Sequence, residues 1–201
     1  MPVSDELVRA AARRRDALRV MEDLALVRRW SAAGQVAVVG AVSYDLVVDA
    51  DIDLEVFTDG APNVSDGFAV AAGLAEHPQI RKVRFTNALA AEDQGLYWQF
   101  RYQSDDATDW KIDVWTLASD HPGPLSAWMV EPMRLGLTRN ARRMILKLKE
   151  ARSRGEIDGV ASIDIYRAVL DGRVDSVDGL RRFLGPGYKP MLTPWLPSSV
   201  S

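Results

Sequence analysis

The chain has 201 residues, of which 47% are apolar and 26% charged, with a net charge of −3. That balance is expected of a chain that buries a core, as one domain or as a core with a smaller helical appendage. The small acidic excess carries no global signature of a phosphate-coated partner. The absence of cysteine excludes disulfides, thiolate metal sites and cysteine nucleophiles, and with His77 and His121 the only histidines, a bound metal is expected on oxygen.

Neither a signal peptide at the start nor an apolar run of roughly 18 residues is found, so no membrane partner and a cytoplasmic location are expected. Ser4, followed by a charged, alanine-rich stretch to Trp30, predicts one long amphipathic helix, with Ser4 as N-cap and Gly34 just past its end. Its buried stripe is expected at Leu7, Ala11, Leu18, Met21 and Ala25, and the Arg13-Arg14-Arg15 triplet reads as a solvated face. Residues 35–42 form a nearly continuous apolar run, as in a strand buried on both faces, that leads into Gly40. Strict alternation follows over residues 51–58, with Ile52, Leu54 and Val56 on one face and Asp51, Asp53 and Glu55 on the other.

Asn63 or Ser65 caps the next helix, which runs through Phe68, Val70 and Leu74 and ends before Pro78, and a strand is predicted over residues 80–85. Residues 96–102 and 110–117, rich in aromatic and β-branched side chains, read as the arms of a hairpin around a polar loop. Past His121 the strand signals stop. A helix is predicted from about Thr138 to Arg154, ending at Gly155, and two shorter ones over residues 162–170 and 176–184, followed by an irregular proline-rich tail. Two parts are expected: residues 1–120 as a catalytic core with the N-terminal helix, and residues 121–201 as a helical part packed on it.

Asp51 and Asp53 are two apart on one strand, so their carboxylates share a face about 6.5–7 Å apart at Cα. Hard divalent cations such as Mg²⁺ prefer such oxygens, and a pair of ions can stabilise the attacking and leaving oxygens of a phosphoryl displacement. Asp113 lies between Ile112 and Val114, so its side chain points away from theirs, toward a polar face. Lys111, two residues earlier, shares that face and can neutralise the carboxylate or touch phosphate.

The stretches V-V-G-A-V-S around Gly40, A-D-I-D-L-E-V and K-I-D-V-W resemble the pattern of the nucleotidyltransferase superfamily that includes DNA polymerase β and the antibiotic nucleotidyltransferases. The resemblance covers residues 35–118. It implies an α/β (α+β) fold, with a mixed, mainly antiparallel sheet flanked by helices. It also implies that Asp51 and Asp53 bind Mg²⁺, with Mn²⁺ as the alternative ion, that Asp113 completes the site as ligand or general base, and that the Gly40 backbone approaches a nucleotide phosphate. Ala41 departs from the pattern, standing where the family carries a serine; Ser43 is the nearest hydroxyl that can replace it.

Further cations that can hold a triphosphate are Arg84 and the set Arg139, Arg143 and Lys147, spaced four apart on one helix, although taken singly they read better as a solvated face opposite Ala141, Ile145 and Leu148. Trp98, Trp110 and Trp115 read as core or cross-strand aromatics rather than base-stacking ones. No G-x-S-x-G elbow, phosphate loop or dinucleotide fingerprint is present. The expected activity is transfer of a nucleoside monophosphate from a nucleoside triphosphate to a hydroxyl-bearing acceptor. Net charge favours a small-molecule acceptor, and the Arg139 helix keeps nucleic acid open. The alternative, supported by Ala41, is a module that binds a nucleotide or protein partner without transfer.

Overall fold

The computed structural model describes residues 5–190 and 194–197, which fall into two compact units. One is built from residues 14–43 and 50–123, the other from the described parts of residues 1–13, 44–49 and 124–201. Ser4, expected as an N-cap, lies outside the described residues.

In the first unit, a five-stranded sheet has the order β1-β2-β5-β4-β3, formed by β1 (Gln35–Val39), β2 (Asp51–Thr58), β3 (Ile80–Asn87), β4 (Gly95–Gln103) and β5 (Asp109–Ala118). Three of its pairings are antiparallel, and β2 runs parallel to β5. Alternation decides the faces. Ile52, Leu54 and Val56 of β2, Ile112 and Val114 of β5, and Leu96, Trp98 and Phe100 of β4 share one face and are at most 1% exposed.

Helices supply the other half of that core. Trp30 of α2 (Leu26–Trp30) sits 5.9 Å from Trp98 and 6.4 Å from Phe100, ring to ring. In α4 (Val64–Ala75), Phe68 lies edge-on to Trp98 at 4.9 Å. A Cβ on Gly67 would meet Trp98 Cζ2 at 2.2 Å, so only glycine lets this helix approach the indole. Asn63 is the cap of α4, its side chain accepting from the Ser65 N–H at 2.9 Å.

Two sequence expectations fail in this unit. The N-terminal helix is not continuous: α1 (Glu6–Asp23) stops before Ala25, whose φ of 47° is left-handed and breaks the hydrogen-bond ladder before α2. Its buried stripe is Ala10, Ala17, Val20 and Met21, with Leu24 buried just past its end, whereas Ala11 and Leu18 face solvent. Second, β1 is an edge strand, mostly half-buried, and it ends at Val39; Gly40–Ser43 is a single helical turn, α3.

The second unit is helical. It holds a 3-10 turn (Ser126–Met129), α5 (Val130–Gly136), α6 (Arg139–Ser153), α7 (Ser162–Leu170) and α8 (Val177–Leu184) around Tyr44, Leu46, Met133, Ile145, Leu146, Ile165 and Leu180. Thr138 and Ser176 cap α6 and α8 through their hydroxyls, and Gly155 and Gly185 follow those helices at φ 75°. Residues 126–136 carry helical turns that the sequence reading left out.

Candidate metal and nucleotide site

Pairing β2 with β5 in parallel sets Asp53 directly beside Asp113 and Asp51 beside Lys111. The polar faces of the two strands therefore merge, and one oxygen from each of Asp51, Asp53 and Asp113 lies within 4.8 Å of the others. Three half-buried carboxylates at that spacing are a costly arrangement without a cation, and hard oxygen donors so gathered suit Mg²⁺ or Mn²⁺. Gly40 makes room for them: a Cβ there would fall 2.2 Å from Asp53 Oδ2, and its φ of 62° is one that L side chains rarely adopt.

Asp113 is held from three sides. Its Oδ1 accepts from the Tyr97 hydroxyl at 2.8 Å and from Gln99 Nε2 at 3.2 Å, while its Oδ2 accepts from Lys111 Nζ at 2.9 Å. Gln99 also donates to the Tyr97 oxygen at 2.8 Å. Burial and the hydrogen bond to Asp113 push the Tyr97 hydroxyl up to about 12, so it is a neutral donor at physiological pH.

Lys111 is the internal counterion. Its ammonium also lies 3.2 Å from Asp51 Oδ1. Burial alone would lower its pKa, but the hydrogen bond to Asp113 and the charge of Asp51 more than offset that, and the net shift is upward. The structure thus places Lys111 between two carboxylates, the first of the two roles its sequence position offered.

Other sequence candidates stand elsewhere. Ser43 is 7% exposed and donates its hydroxyl to the Gly40 carbonyl at 2.8 Å, closing the α3 turn. On α6, Arg139, Arg143 and Lys147 are exposed, and Arg143 lies 3.8 Å from Glu6. The opposite face works instead: Arg142 donates to the Tyr44 carbonyl, Lys149 to the Leu46 carbonyl at 2.7 Å and Arg152 to Asp49 at 3.0 Å. Asp45, 3.4 Å from Arg142, and Asp49 are thereby compensated within the helical unit. His77 lies 3.3 Å from Asp23, and His121 bonds the Asp93 carbonyl, so both have structural partners. An apolar cavity of about 300 Å³ in the helical unit, lined by Leu125, Trp128, Met129, Ile163 and Trp195 among others, contains none of the predicted site residues.

Tyr97 and Gln99 escaped the sequence reading. The signal was present in the hairpin: once Gln103 pairs with Asp109, stepping four residues back along each arm sets Gln99 opposite Asp113.

No protein-family model matches the chain, and no curated protein matches it in sequence. Solved structures do. A cytoplasmic RNA terminal U-transferase aligns at TM-score 0.57 and 15% identity over 78% of this chain and 45% of that one. The Cid1 poly(U) polymerase aligns at TM-scores of 0.61 (a variant bound to MgATP) and 0.60 (bound to MgGTP), with 14% identity over 79% of this chain and 50% of the other. The chain has the nucleotidyltransferase fold. It spans about half the length of the structures it matches, and its own sheet is mixed and mainly antiparallel, as the sequence resemblance implied.

Proposed function

We propose that this protein is a metal-dependent nucleotidyltransferase, which moves a nucleoside monophosphate from a nucleoside triphosphate to a hydroxyl-bearing acceptor. The observation that carries this reading is the convergence of Asp51, Asp53 and Asp113 within 4.8 Å on the polar face of a sheet with this fold. Nucleotide complexes with magnesium among the matched structures support the choice of ion.

In the reaction the acceptor oxygen bonds to the α-phosphorus, the α–β phosphoanhydride bond breaks, and pyrophosphate leaves. Held by the three aspartates, Mg²⁺ would acidify the acceptor hydroxyl and neutralise charge on the leaving group. Asp113 would receive the acceptor's proton, at a carboxylate whose orientation Tyr97, Gln99 and Lys111 fix through the bonds given above. Lys111 keeps the cluster from carrying its full negative charge toward an incoming polyphosphate. The Gly40 turn, bare of a side chain, leaves a backbone surface beside Asp53 for phosphate. Ala41 offers no hydroxyl there, so the grip on phosphate falls to backbone and ion rather than to a serine.

A small acceptor is suggested by the overall charge of −3. A substrate, however, meets the local field and not the sum over the chain.

Incubation with Mg²⁺ or Mn²⁺ and each α-labelled nucleoside triphosphate, with pools of small hydroxyl compounds or of oligonucleotides, tests the reading. Label transfer by the native protein and its loss in Asp53→Ala is the expected result. Equal transfer by Asp53→Ala would show that the acidic trio is not the site.

A further inference from the structure

The polar face of the sheet carries cations as well as acids. In register across the strands, Lys82 of β3 stands beside Arg101 of β4, Arg101 beside Lys111 of β5, and Lys111 beside Asp51 of β2. The next row reads Arg84, Gln99, Asp113, Asp53. Residues in register share a face, so the cations stand on the side of the acidic trio. They extend to the β3 edge, about three strand widths or 14 Å from Asp51 and Asp53 and about two widths or 10 Å from Asp113.

Lys82 and Arg84 are exposed, and among the described residues no ion pair involves either. Arg101 is 3.3 Å from Asp109, a largely exposed pair of the kind that contributes little and yields readily to a stronger anion. The positive charge along this edge is therefore available to a ligand.

A third row points the same way. It reads Thr86, Tyr97, Trp115, Glu55. The Tyr97 and Trp115 rings lie 5.0 Å apart at 37° on the polar face, both half-buried. Trp98 and Trp110 are 0% and 1% exposed and fill the core, whereas Trp115 points to the other side of the sheet. A row of cations beside a partly exposed aromatic pair is the combination with which proteins hold single-stranded nucleic acid, cations to phosphates and rings to bases. A small neutral or cationic acceptor has no use for positive charge about 10 Å from the acceptor position at Asp113.

We propose that Lys82, Arg84 and Arg101, together with Tyr97 and Trp115, seat a single-stranded polynucleotide whose terminal hydroxyl is the acceptor at Asp113. Lys82 and Arg84 lie about 7 Å apart along β3, and a strand carrying one charge per roughly 3.4 Å of axis lays two or three phosphates along that length. This rests on the transfer reading for the role of the terminal hydroxyl, but not for the binding itself.

Fluorescence anisotropy with 5′-labelled 15-nucleotide RNA and DNA of one mixed sequence, in Mg²⁺ without nucleoside triphosphate, tests it. The native protein is expected to bind at least one of the two, and comparison of the arms shows whether the 2′-hydroxyl is read. Lys82→Ala/Arg84→Ala should weaken binding at least tenfold and flatten the salt slope by about 1.4, two phosphate contacts at about 0.7 each. Trp115→Ala should weaken binding roughly tenfold. Arg182→Ala, on the exposed surface of α8, should bind as the native protein does.

Absence of oligonucleotide binding by the native protein overturns the proposal, as does unchanged binding by Lys82→Ala/Arg84→Ala. An equal loss of Mg²⁺-nucleotide binding in that double variant also overturns it, since the row would then hold the triphosphate. Label transfer to a small acceptor with no oligonucleotide binding defeats this inference and leaves the transfer reading standing. Oligonucleotide binding without transfer of label from any nucleotide does the reverse.

Discussion

Lys111→Met is the most informative single change, because it removes a charge while keeping a chain of similar length. In the native protein the ammonium sits 2.9 Å from Asp113 and 3.2 Å from Asp51. At an effective dielectric constant of about 20, each attraction is roughly 5 kcal/mol before desolvation. Exposed ion pairs return about 0–1 kcal/mol and buried ones cost about 3–5 kcal/mol to break; Lys111, with a side chain 30% exposed, stands between those limits. A metal-free loss of about 2 kcal/mol follows, a fall of roughly 4–8 °C in Tm for a chain of this size. With the ammonium gone, Asp51 and Asp113 repel each other and a divalent cation no longer has to displace an occupant. Mg²⁺ should therefore raise the Tm of the variant more than that of the native protein, and Mn²⁺ should bind it more tightly by titration calorimetry. Equal melting of the two proteins in EDTA, with equal shifts on adding Mg²⁺, would refute the counterion role.

Gly40→Ala should cost about 1–2 kcal/mol for the left-handed backbone and, by pushing on Asp53, weaken Mn²⁺ binding; calorimetry and urea unfolding check both. Asp53→Ala is expected to lower nucleotidyl transfer at least about a hundredfold while leaving the far-UV spectrum intact, since the metal site loses one of three carboxylates. Tyr102, which donates to Asp23 at 2.7 Å, has its pKa raised by burial and by that bond. Its unfolded counterpart ionises near about 10 while the folded group stays neutral, so stability is full below that pH and falls as pH rises past it. In Tyr102→Phe the urea midpoint should drop less between pH 9 and pH 11. Lys149, 3% exposed and bonded to the Leu46 carbonyl, is a buried strut of the helical unit. Lys149→Ala should cost about 2–3 kcal/mol in urea unfolding, and a change within error would show the bond to be dispensable.

Much of the local structure was legible. Capping by Asn63, Thr138 and Ser176 and the stops at Gly155 and Gly185 set helix ends through hydrogen bonds within a few residues. The hairpin arms and the acidic face of β2 follow from a period of two. Elsewhere a local rule had two solutions. In α1, Met21 is buried as the apolar spacing predicts while Ala10, Ala17 and Val20 make up the rest of the stripe, and in α6 the exposed Arg139, Arg143 and Lys147 stand opposite the cations that grip residues 44–49.

The sequence by itself determined that Asp51 and Asp53 share a face and that Asp113 turns away from its apolar neighbours, because side-chain alternation is a property of each strand alone. Only the tertiary structure decided that those two faces are one. Between β2 and β5 the chain makes a helix and two strands before returning to pair in parallel, and nothing in either strand's own pattern names its partner or register. The same pairing lays Lys111 between two carboxylates, the β4–β5 and β3–β4 pairings then line up Arg101 beside Lys111 and Lys82 beside Arg101, and the site and its approach are products of strand order.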